Sequence, residues 1–227
     1  MTNTKTPKPQ TPKSECMRCG TCCEKGGPCF HHKDRLLIEK GVIPTKFLYT
    51  IRKGELAYDN VKGRLIPVDS DVIKIKGKKG SWICTYYDEE KKACGIYSDR
   101  PLECKVLKCW DTRELEQIYA ERRLTRRDLI SDIEGLWDLI SDHQQRCDYD
   151  KIKKLIKDVT AGNRDIARKE LMEIIHFDKE IRKLVVSKGG LDPEMLDFVF
   201  GRPLTKTIEN YGLKIRQKGE KIHLDES

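Results

Sequence analysis

No run of about 18 apolar residues occurs in the chain, which excludes a membrane-spanning helix. Aromatic residues are only 7% of the whole, and apolar residues, at 37%, barely exceed the charged ones at 36%. Such a composition suits modest cores better than one large one. The glycines have no period of three, which excludes a collagen-like chain. Catalytic signatures are missing as well: no Gly-x-Ser-x-Gly, no His-Glu-x₂-His and no glycine-rich phosphate loop is present. The opening Met1-Thr2-Asn3-Thr4-Lys5-Thr6-Pro7-Lys8-Pro9 has no apolar segment or cleavage pattern, so it does not read as a secretory signal. A cytoplasmic, reducing environment is the resulting expectation. Stable disulfides are unusual there, and abundant thiols serve metal or redox chemistry.

What the chain does have is ten cysteines and a charge of +8, both placed unevenly. Residues 1–111 carry 22 basic and 14 acidic residues, whereas residues 112–227 carry 23 of each. Nine cysteines also lie before residue 112, with Cys147 alone beyond it, where it reads as a small core residue. The excess positive charge has two readings. One is an anionic partner such as nucleic acid, with Lys74, Lys76, Lys78 and Lys79 as its densest patch. The other is compensation for thiolates, which formal charge counting omits; a solvated hairpin accounts for the lysine patch, and nucleic acid is disfavoured.

Residues 1–14 are rich in Thr, Pro and Lys and read as a disordered tail. Residues 15–111 read as a cysteine-rich metal-binding module, with a short helix after Asp34 that ends near Gly41 and another from Pro44 presenting Phe47, Leu48 and Ile51. Hairpin material follows at Val61–Val68 and Val72–Ile75. Trp82–Tyr87 and Ala93–Tyr97 read as paired strands that bring Cys84 beside Cys94. Pro101 opens a helix carrying Cys104, with helix-end amides and Arg100 or Lys105 placed to stabilise its thiolate. Residues 112–217 read as an all-helical subdomain. Its apolar stripes are Leu129–Ile140, a segment capped by Asp150, and Ile166 through Val185; a cap-and-proline start stands at Asp192-Pro193. Residues 218–227 read as a flexible end. The expected class is α+β: an irregular cysteine-rich module with short hairpins, followed by helices.

Cys16-Met17-Arg18-Cys19-Gly20-Thr21-Cys22-Cys23 is the sharpest feature. A Cys-x₂-Cys turn aims two sulfurs at one metal, and Gly20 permits backbone angles that other residues resist. Adjacent Cys22 and Cys23 diverge, so they suit different metal atoms, or one ligand and one supporting neighbour. Cys84, Cys94, Cys104 and Cys109 form a second group. Two tetrahedral zinc sites use all eight thiolates, while one iron–sulfur cluster uses four; the spacing fits both.

These motifs resemble the cysteine-cluster family named for its Cys-x₂-Cys-x₂-Cys-Cys signature (the YkgJ-like family), a zinc- or iron-chelating domain. The resemblance covers about residues 15–110. It rests on Cys16, Cys19, Cys22 and Cys23, on Cys84, and on Cys94-Gly95-Ile96-Tyr97-Ser98-Asp99-Arg100-Pro101-Leu102-Glu103-Cys104 with Cys109. It implies that these eight cysteines bind metal. A flagellin lysine methylase has a similar signature, which brings in an alternative: an iron–sulfur enzyme of group transfer to protein. The remaining alternative is a nucleic-acid-associated zinc protein. Enzymatic activity stays open, since Asp34, Asp71 and Asp88 show no acid/base partner. Cys29 stands near the first motif as a ninth candidate ligand. His31, His32, His143 and His176 read as solvent-facing or capping residues, and Trp82 and Trp110 as shields for the ligands. The expected partners are metal ions, with the helical subdomain as a surface for a protein partner and no membrane contact.

Overall fold

The computed structural model describes residues 16, 18–161, 164–218 and 221–226. The tail expected at residues 1–14 lies outside the described residues. The fold is α+β, with short antiparallel hairpins first and helices after.

The cysteine-bearing part begins with α1 (Thr21–Glu24) and α2 (Arg35–Glu39). Strands β1 (Leu48–Ile51), β2 (Leu56–Asp59), β3 (Arg64–Pro67) and β4 (Val72–Ile75) follow. β3 falls within the stretch expected as a hairpin, but its partner β2 lies before that stretch and residues 60–63 form the turn; β1 pairs with β4 around them, Leu48 opposite Ile75 and Ile51 opposite Val72. The helix expected from Pro44 is instead a 3₁₀ turn at Thr45–Phe47 that runs straight into β1. A short apolar run fits either period, and here pairing with the β-branched Val72–Ile75 decides the matter.

Trp82–Tyr87 also departs from expectation. Only Tyr87–Asp88 (β5) pairs with Ala93–Cys94 (β6), so Cys94 stands opposite Tyr87 rather than Cys84. The preceding residues turn instead. The Tyr87 amide donates to the Cys84 carbonyl (2.9 Å), and the Cys84 amide donates to the Cys23 carbonyl (2.8 Å).

Helices α3 (Leu102–Val106), α4 (Arg113–Ile118), α5 (Arg126–Ile130) and α6 (Leu136–Arg146) come next. The stripe over Leu129–Ile140 is thus broken into two helices, because Gly135 sits at φ +73° and ends any continuous turn. α7 (Tyr149–Thr160) is capped by Asp148, not Asp150: the Asp148 carboxylate accepts from the Lys151 amide at 2.9 Å. α8 spans Arg164–Ser187. Asp192 caps the 3₁₀ turn at Pro193–Met195, and α9 (Leu196–Val199) and α10 (Leu204–Thr207) follow. The chain end expected to fray carries β7 (Leu213–Lys218) and β8 (Lys221–Glu226) as a hairpin.

Burial explains how these short elements hold together. One core combines Phe30, Ile38, Ile43, Leu48, Ile73 and Ile75 with Leu124, Ile130, Ile140 and Phe198–Phe200. It therefore draws on both sides of residue 111. A second core lies between α7 and α8, closed by Leu204, Ile208 and Leu213. Each buried Leu, Ile or Phe contributes about 1.5–3 kcal/mol. Through the first core runs a strap, residues 28–32. On one edge it meets β4, the Phe30 amide donating to the Ile73 carbonyl and the Ile75 amide to the Pro28 carbonyl. On the other edge it meets residues 122–124, through His32 N–H to Arg122 O and Leu124 N–H to Phe30 O.

Buried charges tie distant segments together. Arg126, with no exposed surface, donates from Nε to Asp71 Oδ2 (2.7 Å) and from Nη1 to the Val199 carbonyl (2.6 Å). Glu55 is likewise buried and is paired with Arg202. Among the described residues no helix is long and apolar enough to cross a membrane.

Candidate metal centre

The first cysteine motif is shaped by Gly20. Its φ of +80° precedes α1, and a Cβ placed there would lie 1.9 Å from the Tyr87 hydroxyl oxygen. The loop therefore lies directly on β5. Gly20→Ala is expected to cost about 1–3 kcal/mol through backbone strain and this clash. Urea unfolding measures the loss; an unchanged midpoint would show that the close approach has no energetic weight.

The charges of five sulfurs act on one another: those of Cys84, Cys22 and Cys94 on Cys104, those of Cys94 and Cys22 on Cys84, and those of Cys22, Cys84 and Cys104 on Cys23. Among the described residues no three of these sulfurs lie within 4.8 Å of one another. The groups on either side of residues 30–83 are thus brought together. Cys19 is exposed and interacts with Cys22, while Cys16 and Cys109 are exposed at the margin. All ten cysteines are free thiols in the structure. Cys29 takes a separate place. It packs with Ile51 and Val72 in a small third cluster, and the Lys74 ammonium is 3.6 Å from its sulfur.

The thiols differ in electrostatics. Cys22 is pulled down to about 6, first by the neighbouring Cys23 thiol, with help from the Arg100 charge. Cys23 is pushed up, first by Cys22, and burial adds to the shift. Burial likewise raises Cys84 and Cys104, and the neighbouring sulfur charges raise them further. The thiolate stabilisation expected at Cys104 from helix-end amides is therefore outweighed by desolvation. Crowded thiols of this kind need a cation to share them as thiolates. Arg100 stacks on Tyr97 at 3.7 Å, and Arg18 approaches the same ring at 4.6 Å.

Several residues outside the motifs hold this arrangement. His31, expected in solvent, is 2% exposed, with its Nδ1 2.7 Å from the Glu121 carbonyl and its Nε2 3.3 Å from Glu103 Oε1. Asp34 is also buried, and its two oxygens accept from the His31 and Leu102 amides. Trp82 is 65% exposed and does not shield the ligands, whereas Trp110 is half-buried. His32 and His176 are exposed as expected. The lysine patch is largely taken up internally: Lys74 faces Cys29, Lys76 binds the Lys46 carbonyl, and Lys78 pairs with Glu89.

Among the described residues, the group of three donor atoms within 4.8 Å of one another is His143, Cys147 and Asp178, all buried. His143 was expected at the surface and Cys147 in a core; only the second holds. Asp178 is already engaged by His143 Nε2 (2.7 Å), Arg182 Nε (3.0 Å) and the Leu204 amide (3.0 Å). Arg52 and Arg182 add positive charge around the same atoms. The carboxylate is thus fully engaged and two guanidiniums stand close by, which disfavours another cation, although His143 Nδ1 is buried without a hydrogen-bond partner. The cysteine sulfurs form the more open group, and a zinc tetrathiolate with bonds of about 2.3 Å requires them to close further around the ion.

The chain belongs to the CxxCxxCC family, whose model, described as "Putative zinc- or iron-chelating domain", matches residues 15–128. No curated protein and no solved structure matches the chain.

Proposed function

We propose that this protein holds zinc or iron through an inner set of Cys22, Cys84, Cys94 and Cys104. Cys16, Cys19, Cys23 and Cys109 complete a second site or support the first. The observation that carries this reading is the junction of two motifs distant in sequence: the Cys84 amide donates to the Cys23 carbonyl at 2.8 Å, and the charges of Cys22, Cys84, Cys94 and Cys104 act on one another there. The donor set suits the group: soft, free sulfurs, with the Arg100 charge favouring the thiolate form of Cys22. When bound, zinc supplies structural cross-linking, and an iron–sulfur cluster supplies electron transfer. The chain's own residues gather the sulfurs, offset their charge through Arg100, and bury Cys84 against the first core. A reducing compartment such as the cytoplasm keeps these thiols available.

The test is to purify the full chain without oxygen and measure zinc, iron and acid-labile sulfide per chain while recording the visible spectrum. About two zinc ions without colour define twin tetrathiolate sites, and about four iron with four sulfide define one cubane cluster. A chain that takes up neither metal at a Cys22→Ser-sensitive site ends the proposal.

A further inference from the structure

We propose that Glu103 is a positioning residue for the thiolate centre. Together with Asp34 it locks the rotation of α3, so that Cys104 faces the other sulfurs. This inference rests on the metal-binding reading above and assigns a role to residues outside the cysteine motifs.

α3 has five residues, no side-chain cap of its own and no fully buried residue. A helix this short has no independent stability, so its orientation comes from its tethers. The first tether is Asp34. Its Oδ1 accepts the Leu102 amide at 2.8 Å, and its Oδ2 accepts the His31 amide at 2.9 Å. The second is Glu103. Its Oε2 accepts the Cys29 amide at 2.7 Å, while Oε1 meets His31 Nε2 at 3.3 Å. His31 in turn donates from Nδ1 to the Glu121 carbonyl at 2.7 Å. Both tethers end on the strap at residues 28–32, which is itself hydrogen-bonded along both edges.

Geometry links the tether to the sulfur. Successive helical residues point about 100° apart, given 3.6 residues per turn. Holding Glu103 against the strap therefore turns Cys104 away from it, towards Cys84, Cys22 and Cys94. Apolar contact would hold α3 down without fixing this rotation. Two directed hydrogen bonds at adjacent residues of α3, one from the Leu102 amide and one to the Glu103 carboxylate, fix it. Burying carboxylates is costly unless their hydrogen bonds are made, and here both oxygens of each are engaged.

The experiment loads full-length wild type, Glu103→Met, Glu103→Gln and Cys104→Ser with cobalt(II) without oxygen. It records the thiolate-to-cobalt charge-transfer absorbance, the affinity by chelator competition, and the far-ultraviolet dichroism. Methionine fills the space of Glu103 without its acceptors. Glu103→Met is expected to fold, to bind cobalt about 10–100-fold more weakly, and to lose one thiolate's share of the absorbance, as Cys104→Ser does. Glu103→Gln retains an oxygen for the Cys29 amide and should recover most of both. Asp34→Leu, which has no acceptor for the Leu102 amide, tests the other tether and should shift the spectrum in the same direction. A folded Glu103→Met with lowered thermal stability but the wild-type cobalt spectrum and affinity would make the residue merely structural and overturn the inference. If Glu103→Met does not fold, a wild-type spectrum in Asp34→Leu overturns it instead. Failure of wild type to bind cobalt sinks the metal-binding reading itself, a result distinct from either.

Discussion

Removing the metal under reducing conditions is expected to release residues 18–26 and 78–111 while α7 and α8 remain folded. The reason lies in how little else holds those segments. α1 and α3 contain no buried residue, and β5 and β6 are two residues each. Cys84 and Tyr87 are the side chains in this region that reach the first core as buried residues. Against that stands the free energy of a thiolate metal site, about 10–16 kcal/mol at neutral pH for structural zinc. The helical part has its own apolar interface in Ile152, Leu155, Ile156, Leu171 and Ile175. Hydrogen exchange before and after chelation reads the difference. Protection should fall by orders of magnitude around Cys22, Cys94 and Cys104 and change little in α7 and α8. Unchanged protection in the cysteine segments, with the metal shown to be gone, would mean that packing alone folds them.

The features legible in the sequence are those set by local pattern. Strand β3, the alternation of Val72–Ile75 and the helical period of α7 and α8 each announce themselves within a dozen residues. The cysteine motifs do so too, because ligand spacing is a local property. What escaped is the polar framework. His31 meets Glu103 across 72 residues, Arg126 meets Asp71 across 55, and Arg202 meets Glu55 across 147. A lone charged residue looks the same in sequence whether solvent or a distant partner satisfies it, so His31 and His143 read as solvent-facing or capping residues, and Asp34 shows no partner. Lys74 had a detectable signal: strand alternation separates it from Ile73 and Ile75, although its cluster with Lys76, Lys78 and Lys79 suggested a wet surface. The break at Gly135 and the turn before Tyr87 were obscured differently, since apolar spacing persists through each while the backbone does not.

Asp178→Asn is expected to destabilise the protein by about 3–5 kcal/mol, the usual cost of uncovering one side of a buried ion pair. The carboxylate is 2–3% exposed and serves His143 on α6, Arg182 on its own helix and the Leu204 amide at the start of α10. Asparagine can accept one of those bonds but leaves the Arg182 and Arg52 guanidiniums without their shared anion. The same network predicts a pH profile. Burial, with Arg52 and Arg182 nearby, holds His143 down to about 4 from 6.5 even though Asp178 pulls the other way. Between those values the unfolded chain binds the proton and the folded one does not. Stability is therefore complete above pH 6.5 and is lost as the pH falls towards 4, by about 3 kcal/mol. Burial alone would raise Asp178, but the His143 hydrogen bond and the Arg182 charge hold it at about 2 against 3.8. Its contribution is present above pH 3.8 and disappears as the pH falls towards 2. Two adjoining windows should thus give wild type a continuous acid loss from pH 6.5 downwards. In Asp178→Asn the lower window disappears while the upper one, which belongs to a buried imidazole, persists and extends to lower pH. Urea midpoints across this range separate the two contributions, best read in metal-loaded protein above pH 5, where the thiolates keep their ligand. A variant as stable as wild type at neutral pH, or a wild-type profile flat from pH 6.5 to 5, would show that solvent reaches His143 and that this pair does not hold α6 to α8.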